Sequence, residues 1–312
     1  MEVISNVAIA GVIEFESYTC ASDTLGSSIL KAVVGSKRFR VTILARHLSE
    51  PQLPESVEVL RVDYDSAPDL TAALAHQDAV VSVLTTNAMN TQLPLIEGAV
   101  KAGVRRFIPS EFSANIGNPK AAALPVYHSK IKLCDVLQQT AEKNPNFTYS
   151  LIRNGPFLDW SLAFGFFLIL KGGETHLYDG GDRPFSTTTL TTRGKAVVEV
   201  LCHLEDAKNR AVFVQDIVTT QKKILKIAQE VNPERTWIPK IVSTAEMEAR
   251  AHENYANGMF DLVSALGFFC RSVFAEGYGG EFQEVDKELL GIRQKTNNDL
   301  KALIKGAPKS DQ

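Results

Sequence analysis

Residues 6–46 read NVAIAGVIEFESYTCASDTLGSSILKAVVGSKRFRVTILAR, and the fold class turns on this stretch. Val7 to Ala10 is a short apolar run ending on Gly11, Leu25 to Val34 carries apolar residues at helical spacing, and Arg40 to Ala45 is a second apolar run. A strand, a helix and a strand in that order form a βαβ unit, whose two strands must run parallel because the helix crosses over the sheet between them.

The same alternation continues outward. Val57 to Val62, Ala79 to Leu84, Arg106 to Pro109 and Thr148 to Ile152 read as strands, and Asp69 to Leu74, Gln92 to Ala102 and Ser129 to Glu142 read as crossover helices. With right-handed crossovers this predicts an α/β fold, a doubly wound parallel Rossmann sheet of six strands. After Phe157 the rhythm changes to Gly, Pro and Thr clusters (KGGE, YDGGDRPFSTTTL), then helices at Gly194 to His203, Gln221 to Val231 and Ala245 to Asn257. The expected division is therefore a nucleotide-binding domain over residues 1–154 and a smaller α+β substrate-binding region with C-terminal helices over 155–312. The greasy run Leu162 to Leu170 (LAFGFFLIL) is too short to span a bilayer and reads as a buried or interface helix. The last thirty residues read as a terminal helix and a polar tail.

Composition narrows the function classes. The chain has 312 residues, 45% hydrophobic and 22% charged, which argues against disordered, collagen-like and coiled-coil architectures. Thirty-three basic against 36 acidic side chains, with no long block of like charge, give no electrostatic footprint for nucleic acid. The four cysteines, Cys20, Cys134, Cys202 and Cys270, form no CxxC pair, and the histidines form no i, i+4 pair, so neither a disulfide framework nor a metal site is expected. No secretory signal is read at the amino terminus, and the expected location is cytoplasmic.

A Rossmann phosphate loop places glycines between the first strand and its helix, so that backbone N–H groups approach a pyrophosphate. Here Gly11 ends the strand, but VIEFESYTC (residues 12–20) intervenes before ASDTLG. With those nine residues set aside, the text reads G-x-x-D-x-x-G, with Gly11 and Gly26 as outer glycines and Asp23 at the middle position, where it would repel an anion. At the end of the second strand an acid would hold a ribose 2′-OH, whereas an arginine accommodates a 2′-phosphate. The residue there is Arg46, which favours NADPH. Asp63 and Asp65, closing the third strand, are turn acids within reach of an adenine edge.

AGVRRFIPSEF at 102–112, LIRNGPFLDW at 151–160, YDGGDRPFSTTTL at 178–190 and VDYDSAPDLTAALAHQDAVVSVL at 62–84 resemble, block by block and in order, the fungal NmrA-like proteins of the isoflavone reductase-like group. The resemblance implies an atypical short-chain dehydrogenase fold, NADPH as reductant, and reduction of small aromatic, phenolic or enone-type molecules, often in secondary metabolism. It also implies a catalytic lysine opening the helix after the PSEF strand; the lysine in register, in YHSKIKLCDVLQ, is Lys130. Its chemistry fits, because hydride addition to a carbonyl or conjugated alkene leaves charge on an oxygen that a positioned ammonium stabilises or protonates.

Strand ends supply the remaining expected site residues. Thr85 and Thr86 follow the fourth strand, and Ser110, Glu111 and Phe112 the fifth, toward the cofactor. Ser113 stands where the family usually has glycine. Asn154, Gly155, Pro156 and Phe157 follow the sixth strand, with Asn154, Phe157 and Trp160 expected to line the substrate. Tyr127 lies three residues before Lys130, not four as in ordinary short-chain dehydrogenases, and reads as packing; His128 falls outside the family register, and Lys132 should face elsewhere. The expected partners are a small-molecule substrate and a second copy of the chain in a homodimer, with no membrane. The interrupted loop keeps open a rival: a dinucleotide-binding regulator that contacts a transcription factor without turnover, or a chain that binds no dinucleotide at all.

Overall fold

The computed structural model describes residues 3–11, 25–46, 53–259 and 261–307. Asp23 and the segment 12–20 lie outside the described residues, as do the side chains of Leu25, Thr86 and Asn87.

Through the first half the order is β1 (Asn6–Ala10), α1 (Leu25–Gly35), β2 (Arg40–Ala45), β3 (Val57–Arg61), α2 (Ala67–Ala73), β4 (Ala79–Ser82), α3 (Gln92–Lys101), β5 (Arg106–Ile108), α4 (Pro119–Ala122), α5 (His128–Lys143) and β6 (Thr148–Arg153). There follow α6 (Leu158–Ala163), β7 (Gly173–Tyr178), β8 (Phe185–Thr187), α7 (Leu190–Cys202), β9 (Arg210–Phe213), β10 (Ile217–Thr219), α8 (Gln221–Val231), β11 (Trp237–Val242), α9 (Thr244–Ala256), α10 (Leu262–Phe274) and α11 (Asn297–Gly306).

The main sheet is parallel throughout, in the order β3-β2-β1-β4-β5-β6-β9. Alternation along β1 explains its two-sided core. Val7 and Ile9 face one side, with Ile29 and Val33 of α1 and Val197 and Leu201 of α7; Ala8 and Ala10 face the other, with Leu95 of α3 and Leu133 and Leu137 of α5. Each large aliphatic side chain taken fully out of water contributes roughly 1.5–3 kcal/mol. A third apolar cluster, including Leu162, Phe167, Phe185, Ile224, Phe274 and Ile304, gathers α6, β8, α8, α10 and α11 beside the sheet. Here β8 pairs antiparallel with β10, and β7 pairs parallel with β11.

Two expectations are corrected. The sheet has seven strands, not six, because β9 returns from the later half of the chain to pair with β6 in register Ser150↔Arg210 through Arg153↔Phe213. Every residue of β6 is buried, so its outer edge needs a partner for its backbone groups. The run 162–170 is not a helix: α6 stops at Ala163 and Gly165 takes a left-handed φ of +72°. The backbone carbonyls beyond are met by side chains, the Ile169 carbonyl accepting from Trp237 Nε1 at 3.0 Å, while Phe167, Leu168 and Leu170 are buried. The helix α10 also went unforeseen. No helix among the described residues is long and apolar enough to cross a membrane.

The second helix on the α1 face, α7, approaches closely because Gly194 presents no side chain. A Cβ there would lie 2.7 Å from Ala32 Cβ and 2.8 Å from the Ser28 carbonyl oxygen. Gly194→Ala is therefore expected to lower stability by about 1–3 kcal/mol, moving the urea midpoint down at unchanged slope. An unshifted midpoint would show that the two helices are not in tight contact.

Candidate active site

Helices leave β1 and β4 toward opposite faces of the sheet, which opens a crevice beyond the carboxyl ends of these neighbouring strands. Gly11 stands at its floor with φ +96°, and a Cβ there would meet the Leu84 backbone nitrogen at 2.9 Å, so both the conformation and the space demand glycine. Gly26 lies buried in the first turn of α1. Thr85 is exposed at the end of β4, heading a short 3-10 turn (Thr86–Thr91) without capping it through its hydroxyl. Ser110 serves the framework instead: its hydroxyl donates to the Leu84 carbonyl at 2.7 Å and its amide to Gln92 Oε1 at 2.8 Å, tying β5 to β4 and α3.

At the outer end of the crevice, a cavity of about 720 Å³ is lined by Arg46, Arg61, Tyr64, Ser66 and the carboxylates of Asp63, Asp65 and Asp69. The Tyr64 hydroxyl donates to the Leu44 carbonyl at 2.8 Å, fixing the ring, and the Arg46 guanidinium lies 5.6 Å from its centroid. Asp63 Oδ1 accepts from the Asp65 amide at 3.0 Å, and Asp69 Oδ2 from the Asp63 amide at 2.7 Å, so these acids also hold the turn. Two arginines at adjacent strand ends can take an anion, and the cavity has the size of a small-molecule site.

At the centre, β5, β6 and α5 bring together Glu111, Arg153 and Lys130. Lys130 Nζ donates to the backbone carbonyl of Glu111. The Glu111 side chain is completely buried; Oε1 accepts from Ser113 Oγ, while Oε2 faces Arg153 Nε at 3.8 Å, too far for a hydrogen bond. Burial pushes the Glu111 pKa up, with Arg153, Lys130 and Ser113 opposing it. Burial likewise pushes Lys130 below the ordinary lysine value, opposed chiefly by the negative charge of Glu111 and reinforced by Arg153 and Arg193. The turn that arranges this is strained: Phe112 has φ +25°, unusual for a bulky residue, and its ring is buried in the core cluster that includes Ile9, Ile108 and Ile152. Phe112 is thus placed among core residues and not open at the strand end.

Beyond β6, Asn154 is wholly buried; its Nδ2 donates to the Gly155 carbonyl at 2.7 Å, while Oδ1 has no hydrogen-bond partner among the described residues. Phe157 and Trp160 meet edge-on at 6.5 Å, and Trp160 continues to Phe164 at 4.7 Å, leaving an aromatic run with Trp160 exposed. Over the Phe157 ring, 3.3 Å from its centroid, lies the guanidinium of Arg193 from the first turn of α7. Burial pushes the Arg193 pKa down to about 9, with Asp159 opposing.

Tyr127 is buried and shares a 2.7 Å hydrogen bond with Ser272 of α10. His128 is exposed, its Nε2 3.3 Å from the Ala123 carbonyl, and Lys132 is exposed on α5. Sequence reading passed over Arg61, Arg153 and Arg193. The last had a signal: it lies on the apolar stripe of α7 with Leu190, Val197 and Leu201, where an arginine must be buried.

The model of the NmrA-like family matches residues 19–236, a stretch that opens inside the segment between Gly11 and Gly26. Oxidoreductase aprR of Aspergillus flavus is 32% identical over 292 residues, covering 91% of this chain and 96% of that protein. Oxidoreductase poxI of Penicillium oxalicum is 29% identical over 294 residues, covering 91% of each. Among solved structures, leucoanthocyanidin reductase from Vitis vinifera superposes with a TM-score of 0.75 at 17% identity, over 96% of this chain and 98% of that one. A Citrobacter sp. triphenylmethane reductase complexed with NADP(H) superposes with a TM-score of 0.70 at 16% identity, over 97% and 100%. The seven-stranded Rossmann sheet and the matched sequence place the chain in the NmrA-like family.

Proposed function

We propose that the chain is an NADPH-dependent reductase of small aromatic, phenolic or enone-type metabolites, working in secondary metabolism, with Lys130 as the proton donor. The observation that carries this reading is the placement of Lys130, a half-buried ammonium at the carboxyl end of β5 held against the Glu111 carbonyl. The names of the fungal relatives, both oxidoreductases, support the reaction class, and the NADP(H) complex of the Citrobacter reductase supports the cofactor.

The residues present fit such a cofactor. Gly11 keeps the end of β1 free of any side chain, Gly26 opens α1, and Thr85 stands exposed above β4. Arg46, with Arg61 beside it, would take a ribose phosphate in the outer cavity. When bound, NADPH supplies the hydride. Lys130 has three ammonium hydrogens, of which one is directed at the Glu111 carbonyl; another can reach the oxygen on which negative charge develops and pass its proton there. The negative charge of Glu111 opposes the lowering of the Lys130 pKa, and Ser113 in turn donates to Glu111. Phe157 and Trp160 offer aromatic surface to the substrate.

Lys130→Ala should lower turnover of an enone or aromatic ketone by about 10²–10⁴-fold while leaving NADPH affinity, measured by calorimetry, nearly unchanged. Undiminished turnover sinks the assignment of Lys130. Tight cofactor binding by the native chain with no hydride transfer across such a panel, together with a stable protein partner, would favour the regulator instead.

Lys130 must be protonated to act, so the rate should fall as pH rises through its pKa, at a pH below that of an ordinary lysine. Glu111→Gln removes the negative charge that raises this pKa and should move the alkaline limb further down in pH. A limb that stays in place, or moves up, contradicts the pairing.

Arg46→Ala is expected to weaken NADPH binding by about 10–100-fold, the loss of one or two charge-assisted hydrogen bonds, and to leave NADH binding almost unaltered. Equal losses for both would place the 2′-phosphate elsewhere.

A further inference from the structure

Arg106 and Arg193 are the bulkiest fully buried side chains among the described residues, and the fold treats them oppositely. Arg106 spends its donors on the framework: Nε to Thr148 Oγ1 at 2.9 Å, Nη1 to Ser150 Oγ at 2.7 Å, and Nη2 to the Leu204 carbonyl. Among the described residues, Arg193 has no acceptor at Nε, Nη1 or Nη2. Its flat face is covered by the Phe157 ring, 3.3 Å away, but all five N–H bonds of a guanidinium lie in its plane and point past that ring. Charged donors left unpaired out of water are costly, so this edge is a place for an acceptor that the described residues do not supply.

The backbone carrying Arg193 cannot relax away. Thr189 caps α7, and Asp216 Oδ2 accepts from the Thr189 amide and hydroxyl, each at 2.7 Å, while its Oδ1 accepts from Thr192 Oγ1 at 2.8 Å. The Leu190 amide donates to Asp159 at 3.1 Å, and Gly194 abuts the Ser28 carbonyl. The guanidinium is thus preorganised. It also sits in an uneven charge set: Arg153 and Arg193 both act on Lys130, while Glu111 opposes the lowering of Lys130 and Asp159 that of Arg193. Asp159 is already engaged by the backbone amides of Leu190 and Trp160. Among these described groups the cations outnumber the acids by one, beside an aromatic run that ends in the exposed Trp160.

We propose that Arg193 is an anion-recognition residue beside the aromatic run of Phe157 and Trp160, taking edge-on a carboxylate carried by an aromatic substrate. A carboxylate matches the guanidinium edge with two parallel hydrogen bonds and supplies the missing charge. The proposal rests on the reductase reading and narrows its substrate class to aromatic acids; the other source of the same oxyanion chemistry is a phosphate of the cofactor.

The test is binding without turnover. Benzoate and cinnamate, each beside its primary amide, are titrated calorimetrically into the native chain saturated with NADPH, and into Arg193→Met and Arg193→Lys. The native chain should bind an acid about tenfold or more tightly than its amide; Arg193→Met should lose that preference while NADPH affinity stays within about twofold, and Arg193→Lys should keep part of it. Equal affinity for acid and amide in the native chain, or no binding of either acid, overturns the proposal. So does a loss in Arg193→Met that falls on NADPH and not on the acid, which would give the guanidinium edge to a cofactor phosphate. If Arg193→Met fails to fold, shown by its circular dichroism, the native acid-to-amide ratio decides. Failure of the reductase reading looks different: no neutral ketone or enone oxidises NADPH, while selective binding of the acid persists.

Discussion

Glu111 has no exposed surface, and burying its carboxyl group against Arg153, Lys130 and Ser113 makes it the point from which the centre of the molecule is arranged. One residue engages three elements. Its backbone carbonyl receives Lys130 from α5, its side chain faces Arg153 at the end of β6, and Ser113 closes the turn back onto it. The Ser113 carbonyl then accepts the amides of Asn154 and Gly155, at 3.0 and 3.2 Å, so the same turn fixes the loop leading to the aromatic run. Ser113 therefore supplies at this turn a hydroxyl donor that a glycine would lack.

The left-handed turn at Phe112 shows how this arrangement is held. A bulky residue at φ +25° is unfavourable by itself, but the ring is only 5% exposed within the sheet core. Core burial offsets the local strain, and the strain orients a buried charge. The first turn of α7 works on a similar plan, with two carboxylates, Asp159 and Asp216, meeting the backbone amides at its start, where the helix dipole favours negative charge.

Much of this was legible in the sequence, for identifiable reasons. Five of the first six sheet strands, β1, β2, β4, β5 and β6, announced themselves because central parallel strands are buried on both faces and read as continuous apolar runs; β3, an edge strand with no fully buried residue, shows instead through Val57, Val59 and Leu60. The ninth strand did not: of Arg210, Ala211, Val212 and Phe213 only Val212 is fully buried, so an edge strand of that length hides among charged neighbours. LAFGFFLIL misled for the opposite reason, since apolar content marks burial without fixing backbone geometry, and a single left-handed glycine ended the helix. At the site, Lys130 was placed by family register and Arg46 by its position at a strand end. Arg153 and Arg193 escaped because their meaning lies in partners more than thirty residues away, and the unmet donors of Arg193 exist only once Phe157 has been folded beneath it.

The return of β9 to the edge of β6 also sets an order of events during synthesis. The sheet cannot be completed until residues 210–213 have left the ribosome, well after the chain has made β6 and the first elements of the later half. Until then, a fully buried strand stands with one row of amides and carbonyls open, ready to pair with any other extended chain. Contacts this distant in sequence form slowly, so the nascent protein passes through an interval in which the β6 edge has no β9 to pair with.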